Sequence, residues 1–534
     1  MSYPTGIEPL ALSEWTNRHG NFTQALRPGA SFKLYNRDLP SRTGSYNATT
    51  DNFRWLIKHA LENRYRLRAL GRGWSFSKVN VSEDGLIDTM DLRLSFNVPA
   101  SFTHARFRAR GGEPGHLMLT QCGMSVAMLN DRLERAGEPR RCLRASGAAN
   151  GQSIVGAFST NTHGGAFRFG AVHDQIVGLH LVVGPDRHVW LERESDPIVD
   201  TSFTDRLTGV ELIRNDDLFN SALVGFGSFG FIHGVMLEGR SICLLEDYRK
   251  IGVPWNDRTR ELLNTGELER FADIVPGPLG QPGYEPYHFE VGFNPHQLLP
   301  NNSEKGLFLR VMYRTDYHAD YPRMAPNPAF EYGDNTFEIL QRALDILGQR
   351  GERLIPSIVN VLYPLAYKEG PRRVGTMSEH FNSTRVRGRG ASLALGFDIS
   401  NTSAAIDLVL DLNRSLPFAG VSALRFVKGS PATLAFTRFP TTCVLELDGV
   451  DSDGTNEFYR RIVARMDRSG MPFTLHWGKV NHMLNEPLLQ RMYPQDAIDT
   501  WRKARTELMD TNVMEVFNNG FMERCGLDRA GVVV

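Results

Sequence analysis

The sequence has few cysteines and no net charge. Five cysteines are scattered over 534 residues, and 60 Lys and Arg side chains balance 60 Asp and Glu side chains. No cysteines form a Cys-x-x-Cys pair, so the sequence gives no support to a zinc or iron–sulfur site. An odd number of isolated thiols is typical of a reducing cytosol. A balanced charge provides no general attraction to nucleic acid or to an anionic membrane.

Long apolar runs are also missing. No stretch approaches the ~20 apolar residues that a membrane-spanning helix needs, and the N-terminus lacks the basic and apolar regions of a secretory signal. We therefore expect a cytoplasmic protein with neither a membrane nor a nucleic acid as partner. The basic cluster Arg385–Gly390 has no interleaved aromatic residues, which favours a solvated loop over an RNA-binding patch.

Two glycine-rich segments are the most informative features that are present. The first, Gly71–Ser77 (GRGWSFS), follows a helical pattern over Asp51–Arg66 and a short strand, Leu67–Leu70, and precedes a second strand, Gly85–Met90. The second, Ala148–Gly165 (AANGQSIVGAFSTNTHGG), combines small residues and hydroxyls with few bulky apolar side chains. Glycines let the backbone approach a ligand closely and expose N–H groups that bind anions. The second segment therefore predicts a loop that wraps a large phosphate-bearing molecule.

A nicotinamide dehydrogenase with a Rossmann fold is one class that such glycines suggest. Its fingerprint needs a third glycine that opens a helix, and an acidic residue at the end of the next strand of the βαβ unit. In Gly71–Ser77 the glycines are followed by hydroxyl residues, and the next element has the pattern of a strand. The sequence therefore disfavours this class.

Four segments in order resemble the FAD-binding domain of the vanillyl-alcohol oxidase/p-cresol methylhydroxylase (PCMH-type) superfamily. They are Gly71–Ser77, Gln152–Gly164, Phe169–Val183 and Leu218–Leu237. The resemblance implies an α+β fold, with a two-subdomain FAD-binding domain and a cap domain. It implies FAD as the cofactor, and contacts to the flavin or its diphosphate from Gly71, Arg72, Gly73, Trp74, Ser75, Ser153, Gly156, Thr160, Asn161, Thr162 and His163. It also implies a backbone contact from Ile232 to the adenine end.

The composition changes near residue 240. Pro- and Gly-rich loops appear there, with strand patterns such as His288–Phe293 and helical patterns such as Thr336–Leu347 and Ser403–Leu416. Mixed elements of this kind favour an antiparallel sheet with helices on one face, and the chain is too long for one ordinary core. We predict three parts: an FAD-binding domain at 1–240, a substrate (cap) domain at 241–470, and a C-terminal segment at 471–534 that returns to the FAD-binding domain.

The C-terminal motif His476–Lys479 (HWGK) resembles one in the aldonolactone and alditol oxidase branch, where the lysine lies beside the reactive edge of the flavin ring. Ser422–Val427 resembles a cap strand of polyol and sterol oxidases, in which a Glu and an Arg two residues apart face the substrate. Arg425 matches the Arg, whereas Ala423 stands at the Glu position. This departure leaves open whether the chain oxidises the same polyols.

These residues predict the chemistry of alcohol oxidation. The carbon passes a hydride to flavin N5 while the hydroxyl loses its proton to a base, for which His476 is the neutral-pH candidate in the motif. A fixed cation stabilises the negative charge of the reduced ring, and Lys479 and Arg425 are candidates. We predict an FAD-dependent oxidoreductase that acts on the CH–OH group of a sugar lactone, polyol or related alcohol. Oxygen or another acceptor would take up the electrons.

Two other functions stay open from the residues. A cap rich in phenylalanine, with Ala423 in place of Glu, would suit a bulkier apolar alcohol such as a sterol or a specialised metabolite. The phenylalanines concerned are Phe381, Phe397, Phe426 and Phe436. A flavin-binding protein without redox turnover is the second alternative.

Trp74 bears on how the cofactor is held. Many relatives in the superfamily carry at this position a His that is bonded covalently to the flavin, and tryptophan offers only an N–H donor. Other relatives use a Cys before the His-Gly loop, and residues 145–163 contain none. We therefore predict tightly held, non-covalent FAD.

Overall fold

The structure is a computed structural model that describes most of the chain. The described residues are 3–135, 137–324, 342, 345–348, 351, 353–381, 383–384 and 389–532. Most of the helix predicted over 336–347 and most of the basic cluster at 385–390 lie outside these residues. Within the described ranges, every helix is too short or too polar to span a membrane.

The strands of the described residues form sheets of four, six and eight strands and two smaller two-stranded sheets. Their bounds in chain order are β1 Ile7–Leu10, β2 Glu14–Thr16, β3 Thr23–Ala25, β4 Ser31–Leu34, β5 Leu67–Leu70, β6 Gly85–Asp88, β7 Ser95–Asn97, β8 Leu117–Gln121, β9 Arg141–Cys142, β10 Ile176–Val182, β11 His188–Glu192, β12 Glu211–Arg214, β13 Phe231–Glu238, β14 Arg240–Ser241, β15 Cys243–Val253, β16 Glu285–Phe293, β17 Leu307–Asp316, β18 Arg373–Gly375, β19 Gly390–Asp398, β20 Gly420–Lys428, β21 Thr441–Val450 and β22 Phe473–Leu475.

The α-helices of the described residues vary from single turns to long helices. Their bounds are α1 Arg42–Asn63, α2 Ala105–Ala109, α3 Val126–Arg135, α4 Ile154–Ser159, α5 Thr201–Thr204, α6 Asp216–Leu223, α7 Asp257–Thr265, α8 Ile355–Ala366, α9 Met377–His380, α10 Thr402–Ser415, α11 Asp453–Ser469, α12 Glu486–Met492, α13 Gln495–Leu508, α14 Thr511–Val516 and α15 Gly520–Arg524. Helix α1 begins well before the predicted helix, after the N-cap Ser41. Its first turns bury Ser45, Tyr46 and Thr49, which carry no apolar periodicity.

The first 240 residues build the four-stranded and six-stranded sheets, besides the small pair β2-β3. The four-stranded sheet has the order β1-β4-β6-β5, in which β5 and β4 pair with β6 in parallel. The six-stranded sheet has the order β12-β11-β10-β13-β8-β7. The segment Gly71–Ser77 leaves β5 directly, because its first glycine follows the last residue of that strand.

The eight-stranded sheet lies in the second half of the chain. Its order is β18-β15-β17-β16-β20-β21-β19-β22, and every pairing is antiparallel. Along β21, Leu445 and Leu447 belong to the main hydrophobic core. Because successive side chains of a strand point to opposite faces, Glu446 and Asp448 project from the other face.

The C-terminal helices pack against the first 240 residues. Trp501 Nε1 donates to Val224 O at 3.2 Å, and Arg505 Nε donates to Ser228 O at 3.1 Å. Asn519 Nδ2 donates to Val81 O at 2.7 Å. The chain therefore crosses from β22, at the edge of the eight-stranded sheet, to the part of the molecule that contains the four- and six-stranded sheets. The turn between them is the HWGK motif.

Candidate functional site

Three segments that are distant in sequence meet at one cavity. Gly71–Ser77 and the HWGK turn are joined by hydrogen bonds: Phe76 N donates to Gly478 O at 2.8 Å, and Ser75 Oγ donates to the same oxygen at 3.1 Å. The cavity is lined by parts of both segments and of 147–163, and by β19, β20 and β21. The fold therefore assembles the two glycine-rich segments and the motif around one space.

The glycine-rich segments approach each other more closely than other residues would allow. A Cβ atom at Gly71 would lie 2.3 Å from Ser153 Oγ, and one at Gly151 would lie 2.3 Å from the Trp74 ring. Gly73 has a φ of +67°, a left-handed conformation that glycine adopts without strain. These positions need glycine because the walls of the cavity are made of closely packed backbone.

The cavity wall carries buried polar atoms that have no hydrogen-bond partner among the described residues. They are His19 Nε2, Arg72 Nε, Trp74 Nε1, Asn80 Oδ1, Gln152 Oε1 and Ser383 Oγ. An unpaired buried polar group is costly, so such groups in a folded protein are usually bonded to a ligand or to water. Donors and acceptors spread along a glycine-walled cavity fit a long polar molecule, and FAD meets that requirement.

A compact set of charged side chains lines the other part of the cavity. Lys479 Nζ donates to Ser392 Oγ at 2.7 Å and lies 3.4 Å from Glu446 Oε1 and 3.7 Å from Asp448 Oδ1. Arg425 Nη1 donates to Glu446 Oε2. Burial would lower the pKa of Arg425, but Glu446 and Glu290 outweigh it and raise that pKa, so the guanidinium stays charged.

The ring of His476 is hydrogen-bonded to the backbone. Nδ1 accepts from Gly478 N at 3.0 Å, and the ring also bonds the backbone of Asn161. Acceptance at Nδ1 assigns the proton of the neutral ring to Nε2, which makes Nε2 a donor. Burial, with His163 and Lys479 nearby, holds the pKa of His476 well below its ordinary value. The role of His476 as the base stays a prediction, and the bond from Gly478 N to Nδ1 makes His476 a weaker candidate than a histidine with a free lone pair.

His163 has the opposite arrangement. Its Nδ1 lies 3.2 Å from Gly164 O, which can only accept, so the ring proton is on Nδ1 and Nε2 carries the lone pair. Burial lowers the pKa of His163 to about 4, and the ring is therefore neutral at pH 7. Nε2 lies 4.0 Å from Glu446 Oε1, where a carboxylate would stabilise a protonated ring. His163 thus combines a position on the cavity wall with a basic nitrogen.

Most residues singled out from the sequence line this cavity. They are Gly71, Arg72, Gly73, Trp74, Ser75, Ser153, Gly156, Thr160, Thr162, His163, Arg425, His476 and Lys479. Asn161 and Ile232 are not among the lining residues. Asn161 Oδ1 accepts from Phe436 N at 2.7 Å, and Ile232 lies in β13, buried in the main core. The contact of Ile232 with the adenine end stays a prediction.

The phenylalanines that suggested an apolar pocket lie elsewhere. Phe397, Phe426 and Phe436 are buried in the main core, and Phe381 lies in a separate buried cluster. None of the four is among the cavity-lining residues. They stabilise the sheet, so they give no support to a bulky apolar substrate.

Sequence reasoning missed several residues on the cavity wall, above all Glu446 and Asp448. A usable signal was present, because two acidic residues alternate with leucines within an otherwise apolar strand (LELD). That pattern predicts charged groups on one face of a buried strand. Only the strand order reveals that this face is also that of Arg425.

The chain is similar to known proteins in sequence and in fold. It is 25% identical over 444 residues to the L-gulono-1,4-lactone dehydrogenase of Mycobacterium tuberculosis, covering 82% of this chain and 86% of that protein. It is 28% identical over 183 residues to a putative D-arabinono-1,4-lactone oxidase of Neurospora crassa, covering 34% and 26% of the two chains. The crystal structure of a cholesterol oxidase from Brevibacterium sterolicum superposes with a TM-score of 0.68 over 98% of each chain, at 16% identity. No family model matches the sequence.

Proposed function

We propose that this chain, which resembles the vanillyl-alcohol oxidase/p-cresol methylhydroxylase superfamily of FAD-dependent oxidoreductases, oxidises a hydroxyl group of a sugar lactone, a polyol or a related alcohol. The observation that carries this proposal is the convergence of both glycine-rich segments, the HWGK turn and the charged face of the eight-stranded sheet on one cavity. The resemblance of the sequence to lactone dehydrogenases and oxidases supports the same substrate class.

We assign the two ends of the cavity to cofactor and substrate. Gly71–Ser75 and the segment around Ser153–His163 would hold FAD, with Arg72 near the diphosphate. Lys479 and Arg425 would face the flavin ring and the substrate. The four- and six-stranded sheets would then form the two subdomains of the FAD-binding domain. The eight-stranded sheet, with α10 and α11, would form the cap. FAD, when bound, accepts the hydride that the carbon of the alcohol loses.

The residues of the chain have separate tasks in this reaction. We propose that His163 Nε2 takes the proton of the substrate hydroxyl and that Glu446 stabilises the resulting positive ring. Lys479 would provide the fixed positive charge that offsets negative charge developing in the buried site. Arg425, held between carboxylates, would orient the substrate oxygen. His476 would fix the turn that presents Lys479.

The apolar alternative has less support. Three solved structures that share the fold are cholesterol oxidases, but at 15–16% identity this similarity concerns the fold alone. The substrate part of the cavity is lined by Ser392, Arg425, Glu446, Asp448 and Lys479. Burying an apolar ring system against these charged groups would be unfavourable, because they would lose solvation without gaining partners. We therefore favour a hydroxyl-rich substrate.

We also propose that the protein works in the cytosol. All five cysteines are buried free thiols, including Cys142 and Cys243, whose sulfur atoms lie 3.9 Å apart. Two neighbouring thiols that stay unbonded are typical of a reducing compartment.

The proposed function is tested by anaerobic titration of the purified FAD-loaded protein. Addition of L-gulono-1,4-lactone, D-arabinono-1,4-lactone or xylitol is expected to bleach the flavin absorbance near completion. Cholesterol in detergent micelles is expected to leave it unchanged. Bleaching by cholesterol alone would favour the apolar alternative, and an unchanged spectrum with every probe would contradict an alcohol oxidoreductase of this kind.

We expect the cofactor to be non-covalent. Precipitation of the holoprotein with acid should release all the yellow colour into the supernatant, because Trp74 has no nucleophilic atom to bond the flavin. Absorbance of pellet and supernatant, with the intact mass of the protein, measures this directly. A yellow pellet would contradict the prediction and would direct attention to His19, whose ring centroid lies 5.7 Å from that of Trp74.

A further inference from the structure

Strand β20 has Ala423 where the related cap strand has a glutamate, and Glu446 of the neighbouring strand β21 lies opposite this alanine. In the antiparallel pair of β20 and β21, Ala423 is directly opposite Glu446. Directly opposite residues point to the same face, and so do residues two apart on one strand. Glu446 therefore projects from the same face as Ala423 and Arg425. This face of the sheet therefore carries a carboxylate on β21, next to the β20 position 423 where the sequence pattern predicts one.

The cross-strand neighbours of Glu446 have small side chains. On its other side Glu446 is opposite Ala394 of β19, and Ala423 is itself opposite Gly292 of β16. Glu446 is thus the one large side chain in a row that runs Gly292, Ala423, Glu446 and Ala394. The ring of Tyr367 covers Gly292 at the end of the row, while the small side chains of Ala423 and Ala394 on either side of Glu446 leave its carboxylate within reach of a ligand in the cavity that it lines.

Two neighbouring cations keep the carboxyl group of Glu446 negatively charged. It is 3% exposed, and burial alone would raise its pKa, but Arg425 and Lys479 outweigh burial and lower that pKa below its ordinary value. The carboxyl group is therefore ionised and accepts hydrogen bonds only. Nearby Asp448 differs, because burial raises its pKa more than Lys479 lowers it.

We propose that Glu446 performs, from the neighbouring strand, the substrate-binding task of the carboxylate absent at Ala423, and that it selects an uncharged polyhydroxylated substrate over an acid. This inference rests on the proposed function. Glu446 accepts a hydrogen bond from a substrate hydroxyl beside the reacting carbon. Both cations already have carboxylate partners: Arg425 lies against Glu446 and 3.4 Å from Glu290, and Lys479 lies against Glu446 and Asp448. A substrate carboxylate would therefore meet negative charge without gaining a cation of its own.

A lactone and the acid formed by its hydrolysis test this inference, since they share one carbon skeleton and differ in charge. Anaerobic stopped-flow reduction of the wild-type holoenzyme by L-gulono-1,4-lactone is compared with reduction by sodium L-gulonate. We expect kcat/KM for gulonate to be lower by about 100-fold or more, because like charges would be buried together. Equal reduction by the two compounds would overturn the proposed selectivity.

Glu446→Gln removes the charge and keeps the shape of the side chain. We expect the KM for L-gulono-1,4-lactone to rise by about 10- to 100-fold, as for loss of a hydrogen bond to a charged group. The limiting rate should fall as well, because the protonated ring of His163 loses its carboxylate partner. The double variant Ala423→Glu/Glu446→Ala returns a carboxylate to the same face and should recover most of the affinity. Glu238→Gln is the matched control: Glu238 is also buried against two arginines, Arg110 and Arg144, but lies off the cavity.

The outcomes separate this inference from the proposed function. If the wild-type flavin is reduced by the lactone and Glu446→Gln leaves the KM within twofold, the role of Glu446 is wrong and the function stands. If Glu446→Gln weakens binding and the double variant does not recover it, the claim that Glu446 takes the task of a carboxylate at position 423 is wrong. If neither the lactone nor xylitol reduces the wild-type flavin, the proposed function fails and this inference with it.

Discussion

Lys479→Met is expected to lower the rate of flavin reduction by about 100- to 1000-fold, as loss of a preorganised charged group does in other active sites. Lys479 Nζ lies at the meeting point of Ser392, Glu446 and Asp448, and its ammonium lies 5.7 Å from the centroid of the Phe76 ring. Methionine keeps the length of the side chain and removes the charge. The measurement is anaerobic stopped-flow reduction with L-gulono-1,4-lactone, at equal flavin content.

Two further variants make this prediction specific. Lys479→Arg retains a positive charge and should keep more activity than Lys479→Met. Lys503→Met, at a lysine 3.7 Å from Glu507 that is not among the residues lining the cavity, should have wild-type rates. In a flavin-binding protein without redox turnover, L-gulono-1,4-lactone would not reduce the flavin of the wild type or of any variant. Full reduction rates in Lys479→Met would contradict the role of this lysine.

His163→Gln is expected to lower the rate of flavin reduction by about 100- to 10,000-fold, the range for loss of a general base. Glutamine can still bond Gly164 O but cannot accept a proton. His476→Gln provides the matched comparison, because both histidines are buried on the cavity wall and only His163 has a basic nitrogen in this structure. We expect the effect of His476→Gln on the rate to be at least tenfold smaller. The reverse order would restore the sequence-based choice of His476.

The pH dependence tests the same base. The base acts when its ring is unprotonated, so activity is present above the pKa of His163, which is about 4, and is lost as the pH falls through that value. We therefore expect kcat/KM for reduction to be nearly constant from pH 8 to about pH 5. A histidine with its ordinary pKa of 6.5 would instead cause a tenfold loss per pH unit below that value. An inflection near pH 6.5 would contradict the assignment.

Much of the cavity could be predicted from sequence because its walls are continuous segments. Gly71–Ser77 and 147–163 contain the glycines, hydroxyls and capping residues that shape them. Their loop conformation and their suitability for a ligand can therefore be predicted without the fold. Ser153, for example, caps α4 by accepting from Gly156 N at 3.2 Å, three residues away. Some strands of the second half, such as β16 and β20, were also predictable from their apolar runs, and the helix at 402–415 lies close to its predicted bounds.

The choice of proton acceptor could not be predicted in the same way. His163 and His476 are chemically identical residues, and each lies within two residues of a glycine in a short motif. Their difference arises from the atoms that reach each ring: Gly164 O at His163, and Gly478 N together with the backbone of Asn161 at His476. Hydrogen-bond partners of this kind depend on the path of folded loops, so the motif indicated two histidines without distinguishing their roles.

The sequence by itself determined the resemblance to the superfamily, the two glycine-rich segments and the motif that carries Lys479, because these depend on short segments whose residues act together. Tertiary structure alone decided that Glu446 faces Arg425 in place of a carboxylate at 423, and which histidine keeps a basic nitrogen. The physical reason is that both outcomes depend on strand register and on backbone partners, which join residues far apart in the chain.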